Sequence, residues 1–304
     1  MRAIARRIYG QTRSLPLLCM HGHIDAGVLA ANTPFDDPAQ LLVVPDHYVT
    51  RLLVSQGVPL ESLGVPRADG TPPAVGSREI WRAFCAHWHV FRGTASRFWL
   101  EHQLVELLGV TVQPSGQTAD AAYDQITERL SDPDFRPRAL LDTFGIELLT
   151  TTDSATATLD GHATLREEGF GERVVPTFRP DALVHVRHPG WRDQARELGE
   201  LTGVDTATYK GYLEAMAARR RDFVAAGALA TDHGHLSADC TPLDPAEAER
   251  VYAAALTGEV SAAAAAAFAG HMLYEMAQMS CEDELVMQLH PGVLRDHDPG
   301  VRAR

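Results

Sequence analysis

Leu15–Asp25 reads LPLLCMHGHID. A short apolar run, Leu15–Met20, ends on two histidines one residue apart, His21 and His23. The run is too short for an amphipathic helix and has the length of a strand. The same arrangement recurs four times. Ile146–Thr150 is followed by Thr151, Thr152 and Asp153, and Val174–Phe178 by Arg179, Pro180 and Asp181. Leu229–Thr231 is followed by Asp232 and His233, and Leu285–Leu289 by His290 and, further on, Arg295. Helical stretches separate these runs: Thr208–Ala226 stops at Gly227, Asp244-Pro245-Ala246-Glu247 has the cap, proline and acid of a helix start, and Ser261 opens an alanine-rich helix through Met279. Strands alternating with helices predict a parallel α/β fold. In a barrel of that kind the C-terminal strand ends converge on one face, where an active site is built.

More than 120 residues lie between Met20 and Ile146. That exceeds one crossover, so a mostly helical insertion is expected at about 50–140. Its candidate helices are one capped by Ser77 and running through Trp88, then Phe98–Leu108 and Thr118–Leu130. Trp81, Trp88, Phe91 and Trp99 recur at near-helical spacing and are read as core.

The totals narrow the function classes. Forty acidic residues against 27 basic leave −13, which disfavours nucleic acid and anionic membranes as partners. No run reaches the ~20 apolar residues of a membrane span. The basic start (Arg2, Arg6, Arg7, Arg13) precedes an apolar run too short for a signal peptide, so a cytoplasmic location is expected. Four dispersed cysteines make no disulfide framework.

His21 and His23 are the sharpest chemical feature. Residues two apart on a strand share a side, so two imidazoles can chelate one divalent cation, with mixed N/O ligation suiting zinc or manganese. The alternative is two unrelated loop histidines. Asp46-His47-Tyr48 offers a proton-transfer pair, or a helix cap followed by ordinary residues. Arg179 can clamp a carboxylate or pair with Asp181. Asp232-His233 can be a proton relay or metal support, or a cap beside a satisfied histidine. His290 and Arg295 can contact substrate or form a loop cation pair.

Seven segments in order then resemble the uronate isomerases of the amidohydrolase superfamily. They are LPLLCMHGHID (Leu15–Asp25), FDDPAQLLVVPDHYVTRLLVSQG (Phe35–Gly57), GTASRFWLEHQLVELLG (Gly93–Gly109), TTTD (Thr150–Asp153), VPTFRPDAL (Val175–Leu183), TDHGH (Thr231–His235) and MQLHPGVLRDHD (Met287–Asp298). The resemblance implies a (β/α)8 TIM-type metal-dependent hydrolase barrel with a helical insertion. Residues 1–304 are expected to form one incomplete barrel domain carrying about five of the eight strands, so that the chain looks C-terminally truncated. It implies aldose–ketose isomerisation of D-glucuronate to D-fructuronate, or D-galacturonate to D-tagaturonate, through an enediol. It implies a divalent metal, typically zinc, on His21 and His23, with His47 and Tyr48 catalytic. Arg179 would grip the substrate, with His290 and Arg295 as helpers and Asp153, Asp232 and His233 as further site candidates. A small-molecule uronate and a homo-oligomer are the expected partners. Two alternatives stand beside this reading: a metal-dependent hydrolase on the same barrel, and an inactive truncated fragment.

Overall fold

The computed structural model describes residues 2–67, 69–71 and 73–292. Among them are two compact units, one of residues 2–31 with 143–292 and one of residues 32–142.

The first unit carries seven strands among the described residues: β1 (Leu17–Cys19), β2 (Ile146–Thr150), β3 (Asp153–Ser154), β4 (Val174–Val175), β5 (Phe178–Arg179), β6 (Ala230–His235) and β7 (Val286–Pro291). Every pairing is parallel, in the orders β1-β2-β4 and β3-β5-β6-β7. The expected run Val174–Phe178 is split because Pro176 has no N–H to offer a neighbour. The ladder still crosses the break, with Thr151 N donating to Val175 O at 3.0 Å and Asp153 N to Thr177 O at 3.0 Å. β2 runs on into β3 and β4 into β5, giving five strand paths side by side in chain order.

Helices return the chain between these paths. Asp160–Glu167 lies between β3 and β4, Trp191–Thr202 and Tyr209–Ala225 between β5 and β6, and Pro245–Thr257 and Ala262–Asp283 between β6 and β7. The alanine-rich helix is capped by Ser261, whose hydroxyl accepts from Ala264 N at 3.1 Å. It outlasts the expected end at Met279, because buried Arg220 binds Asp283 through two nitrogens at 2.6 and 2.9 Å and Ser280 at 2.9 Å. Phe178, Trp191, Tyr212, Phe223, Tyr252 and Phe268 fill the core between strands and helices. Its polar tips are satisfied: the Tyr212 hydroxyl donates to Leu183 O at 2.7 Å and the Tyr252 hydroxyl to Thr206 O at 2.6 Å.

The second unit is helical. Trp81, Phe84, Trp88, Phe91, Ile126 and Leu130 form its core. Ser77 is the first helical residue rather than the cap; Gly76 holds that place, and its N–H meets Glu79 at 3.4 Å. The stretch Phe98–Leu108 is divided into the α-helix Ala95–His102 and a π-turn Gln103–Leu107. Trp99 is 55% exposed, since this helix packs through Ser96 and Leu100 instead, so the core reading fails there.

Candidate active site

β1 stops at Cys19, so the His-Gly-His segment is a bend rather than strand. The two histidines still converge, their Nε2 atoms 2.9 Å apart and their rings crossed at 86°. Local packing enforces this. A Cβ on Gly22 would lie 2.4 Å from Thr150 O, so only glycine lets the bend press against β2. Thr152, between β2 and β3, donates its hydroxyl to Gly22 O at 2.7 Å. From β7, the Gln288 side chain contacts both His21 Nδ1 (3.1 Å) and Met20 O (2.9 Å). Burial and the neighbouring His21 lower the pKa of His23, with Arg179 adding to the effect.

Asp232 lies within β6 and is wholly buried. One carboxylate oxygen is 2.6 Å from His290 Nδ1 and the other 3.1 Å from Arg179 Nη1. These are charge contacts off hydrogen-bond geometry, and neither oxygen has a hydrogen-bond partner. His21, Asp232 and His290 each bring a donor atom within 4.8 Å of the others. A buried carboxylate with two unbonded oxygens, facing imidazole nitrogens, fits a divalent cation: burial is costly without a positive charge, and mixed N/O donors match the chemistry of such ions.

Arg179 binds both neighbouring acids, its Nε donating to Asp181 at 2.9 Å while Nη1 faces Asp232. Asp181 in turn accepts from Gly234 N at 2.9 Å, tying the β5 end to β6. Asp232 and His233 both lie on β6, so Asp232 is no helix cap, while His233 is a satisfied histidine whose Nε2 meets Thr231 Oγ1 at 2.8 Å. Burial pushes its pKa down to about 3, with Arg220 assisting, so the ring stays neutral.

Asp153 belongs to a second cluster. It accepts from Thr151 Oγ1 at 2.5 Å and faces His162 Nε2 at 3.3 Å. His162 is buried and its Nδ1 has no partner. A cavity of about 500 Å³ reaches from His23 past Thr152 and Asp153 to His162. His162 and Gln288 escaped the sequence reading. His162 lies in the first turn of a short helix with no motif, and Gln288 carries no charge; its place in MQLH beside His290 was the available signal.

His47 and Tyr48 open the helix His47–Val54 of the second unit. Asp46 is its cap, accepting from Tyr48 N at 2.7 Å. Both side chains are exposed, their rings 4.2 Å apart, with the Arg51 guanidinium 4.6 Å above the tyrosine. Arg295 lies outside the described residues. No described helix is long and apolar enough to cross a membrane.

A family model described as glucuronate isomerase matches residues 1–301. The uronate isomerase of Rhizobium meliloti (strain 1021) is 47% identical over 303 residues, covering 100% of this chain and 65% of that protein. The uronate isomerase of Xanthomonas campestris pv. campestris (strain B100) is 46% identical, covering 100% and 64%. The crystal structure of glucuronate isomerase from Caulobacter crescentus superposes with a TM-score of 0.95 at 41% identity, over 99% of this chain and 62% of that one. Uronate isomerase from Thermotoga maritima gives a TM-score of 0.89 at 28% identity, over 97% and 64%. The chain thus spans about 65% of the length of these curated relatives. The five parallel strand paths are part of the (β/α)8 barrel of such proteins.

Proposed function

This chain belongs to the glucuronate isomerase family, and on that premise we propose that its strand-end site serves the interconversion of a uronate aldose and the matching 2-keto sugar acid, D-glucuronate with D-fructuronate or D-galacturonate with D-tagaturonate. The observation that carries the reading is the convergence of His21 and His23 with Asp232 and His290.

Isomerisation moves a proton from C2 to C1 through an enediol, with negative charge gathering on oxygen. His21, His23 and Asp232, with His290 within reach of the same position, would hold a divalent cation, zinc by donor chemistry, which when bound supplies positive charge for that oxygen. Arg179 turns Nε and Nη2 to Asp181 and Nη1 to Asp232, and its two remaining N–H groups can meet a substrate carboxylate. His290, half-exposed and held by Asp232 at Nδ1, presents its other nitrogen as a substrate contact. Tyr48 carries the proton between carbons and His47 stabilises the developing enediolate oxygen, a pairing supported by their adjacent exposed rings. Arg295 assists in holding the carboxylate. Asp153 and the neutral His233 support the strand ends. We place the protein in the cytoplasm as a homo-oligomer.

Deuterium exchange at C2 of D-glucuronate in D2O tests this. The protein should catalyse exchange, and His21→Ala and Tyr48→Phe should abolish it. Wild-type exchange in both variants would sink the assignment.

A further inference from the structure

Gln288 makes two contacts with opposite requirements. Its Nε2 lies 2.9 Å from Met20 O, and its Oε1 lies 3.1 Å from His21 Nδ1. A backbone carbonyl only accepts, so the amide NH2 must face Met20 and the amide oxygen must face His21. Flipping the amide would set two acceptor oxygens against each other. An amide oxygen also only accepts, so His21 Nδ1 must carry a hydrogen. In the neutral ring that leaves the His21 Nε2 lone pair free, on the side where His23 Nε2 approaches to 2.9 Å.

We propose that Gln288 is a positioning residue that sets His21 in its Nδ1–H tautomer and so aims the Nε2 lone pair at the cation position. The inference rests on the metal reading of the preceding section and assigns a residue to it. The position follows from strand pairing, since Gln288 stands opposite Asp232 in the β6–β7 ladder. One side chain of β7 thereby links the bend after β1 to the strand that carries the acid. With His21 Nε2 as acceptor, the 2.9 Å contact makes His23 Nε2 the donor when no ion is bound. His23 must then carry its hydrogen on Nδ1 once its Nε2 becomes a ligand.

Long-range 1H–15N NMR of the metal-free protein at about pH 8, above the ordinary imidazole pKa of about 6.5, reads both tautomers directly. His21 is expected as Nδ1–H alone and His23 with its hydrogen on Nε2. In Gln288→Met, His21 should populate both tautomers. Zinc affinity, measured by competition with a chromogenic chelator, should fall about 10-fold, the low end of the usual 10–100-fold because solvent reaches this pair. Gln288→Glu keeps an acceptor against Nδ1 and should retain the wild-type tautomer, which separates tautomer control from loss of packing. Wild-type His21 found as Nε2–H, or a folded Gln288→Met with unchanged tautomer and zinc affinity, would overturn the proposal. A protein showing these Gln288 effects yet no C2 exchange would remove the isomerase reading and leave the role of Gln288 standing.

Discussion

Replacing Asp232 by Asn keeps the side-chain volume and removes one buried negative charge. Breaking a buried ion pair costs about 3–5 kcal/mol when it strands the partner charge. Neither partner is stranded here: Arg179 keeps Asp181 at 2.9 Å, and the His290 side chain is 43% exposed. The wild-type carboxylate also carries a desolvation penalty of several kcal/mol with both oxygens unbonded, and Asn relieves it. These effects oppose each other, so metal-free stability should change by less than about 2 kcal/mol. The metal-dependent increment should behave differently. An ion at about 100 times its Kd stabilises the native state by about 2.7 kcal/mol. At about 2–4 °C per kcal/mol for a domain of about 150–250 residues, Tm should rise by about 5–11 °C in the wild type. The variant lacks the charged oxygen donor and should lose most of that rise. Differential scanning calorimetry with and without zinc gives both numbers. If Asp232→Asn keeps the full zinc-induced rise, Asp232 is no ligand and the fit argued from its unbonded oxygens is wrong.

Three further outcomes follow from the same geometry. Gly22→Ala puts a Cβ 2.4 Å from Thr150 O, where only backbone could yield, so it should cost about 1–3 kcal/mol and weaken zinc binding together; wild-type urea midpoint and affinity would refute the close approach. Thr152→Val removes the hydroxyl that holds Gly22 O at 2.7 Å and should cost about 1 kcal/mol, read as a lowered urea midpoint with m unchanged. Burial lowers the pKa of His271, whose Nδ1 accepts from Leu243 N at 3.2 Å, so the unfolded chain takes its proton first as pH falls. That stability is complete above the ordinary imidazole pKa of about 6.5 and drains below it, and His271→Gln should flatten the acid limb of the unfolding midpoint; parallel pH profiles would contradict it.

Backbone-level features were legible where the apolar signal was strong. Ile146–Thr150 is a strand with the expected bounds, and strands separated by helices do pair in parallel. The departures have local causes. β6 runs to His235, four residues past the expected end, because ladder bonds to β7 continue beneath polar side chains that hide the strand pattern. Trp99 shares the spacing of buried tryptophans and is exposed, since spacing places residues on a face without saying which face packs. His162 is brought beside Asp153 only by the turn of the helix Asp160–Glu167 onto the strand ends, a tertiary fact with no local signature.

The pair Asp232-His233 shows what register adds to motif. Adjacent in sequence and both competent for metal, they could not be ranked from the residues alone. In β6 successive side chains point to opposite sides, so at most one of them can face the site. The ladder pairs Asp232 with Gln288 and Gly234 with His290. Paired residues share a side, and residues two apart share it again, so Asp232, Gln288 and His290 form one row toward His21. His233, on the other row with Thr231, bonds to that threonine and is buried neutral in the core. A slip of one residue between β6 and β7 would pair His233 with Gln288, breaking the row that gathers an acid, an amide and an imidazole. The 2.6 Å contact of Asp232 with His290 and the bond from Gln288 to Met20 O both hold against such a slip. The site is therefore specified less by the presence of metal-competent residues than by which of two neighbours the strand register turns toward the histidine bend.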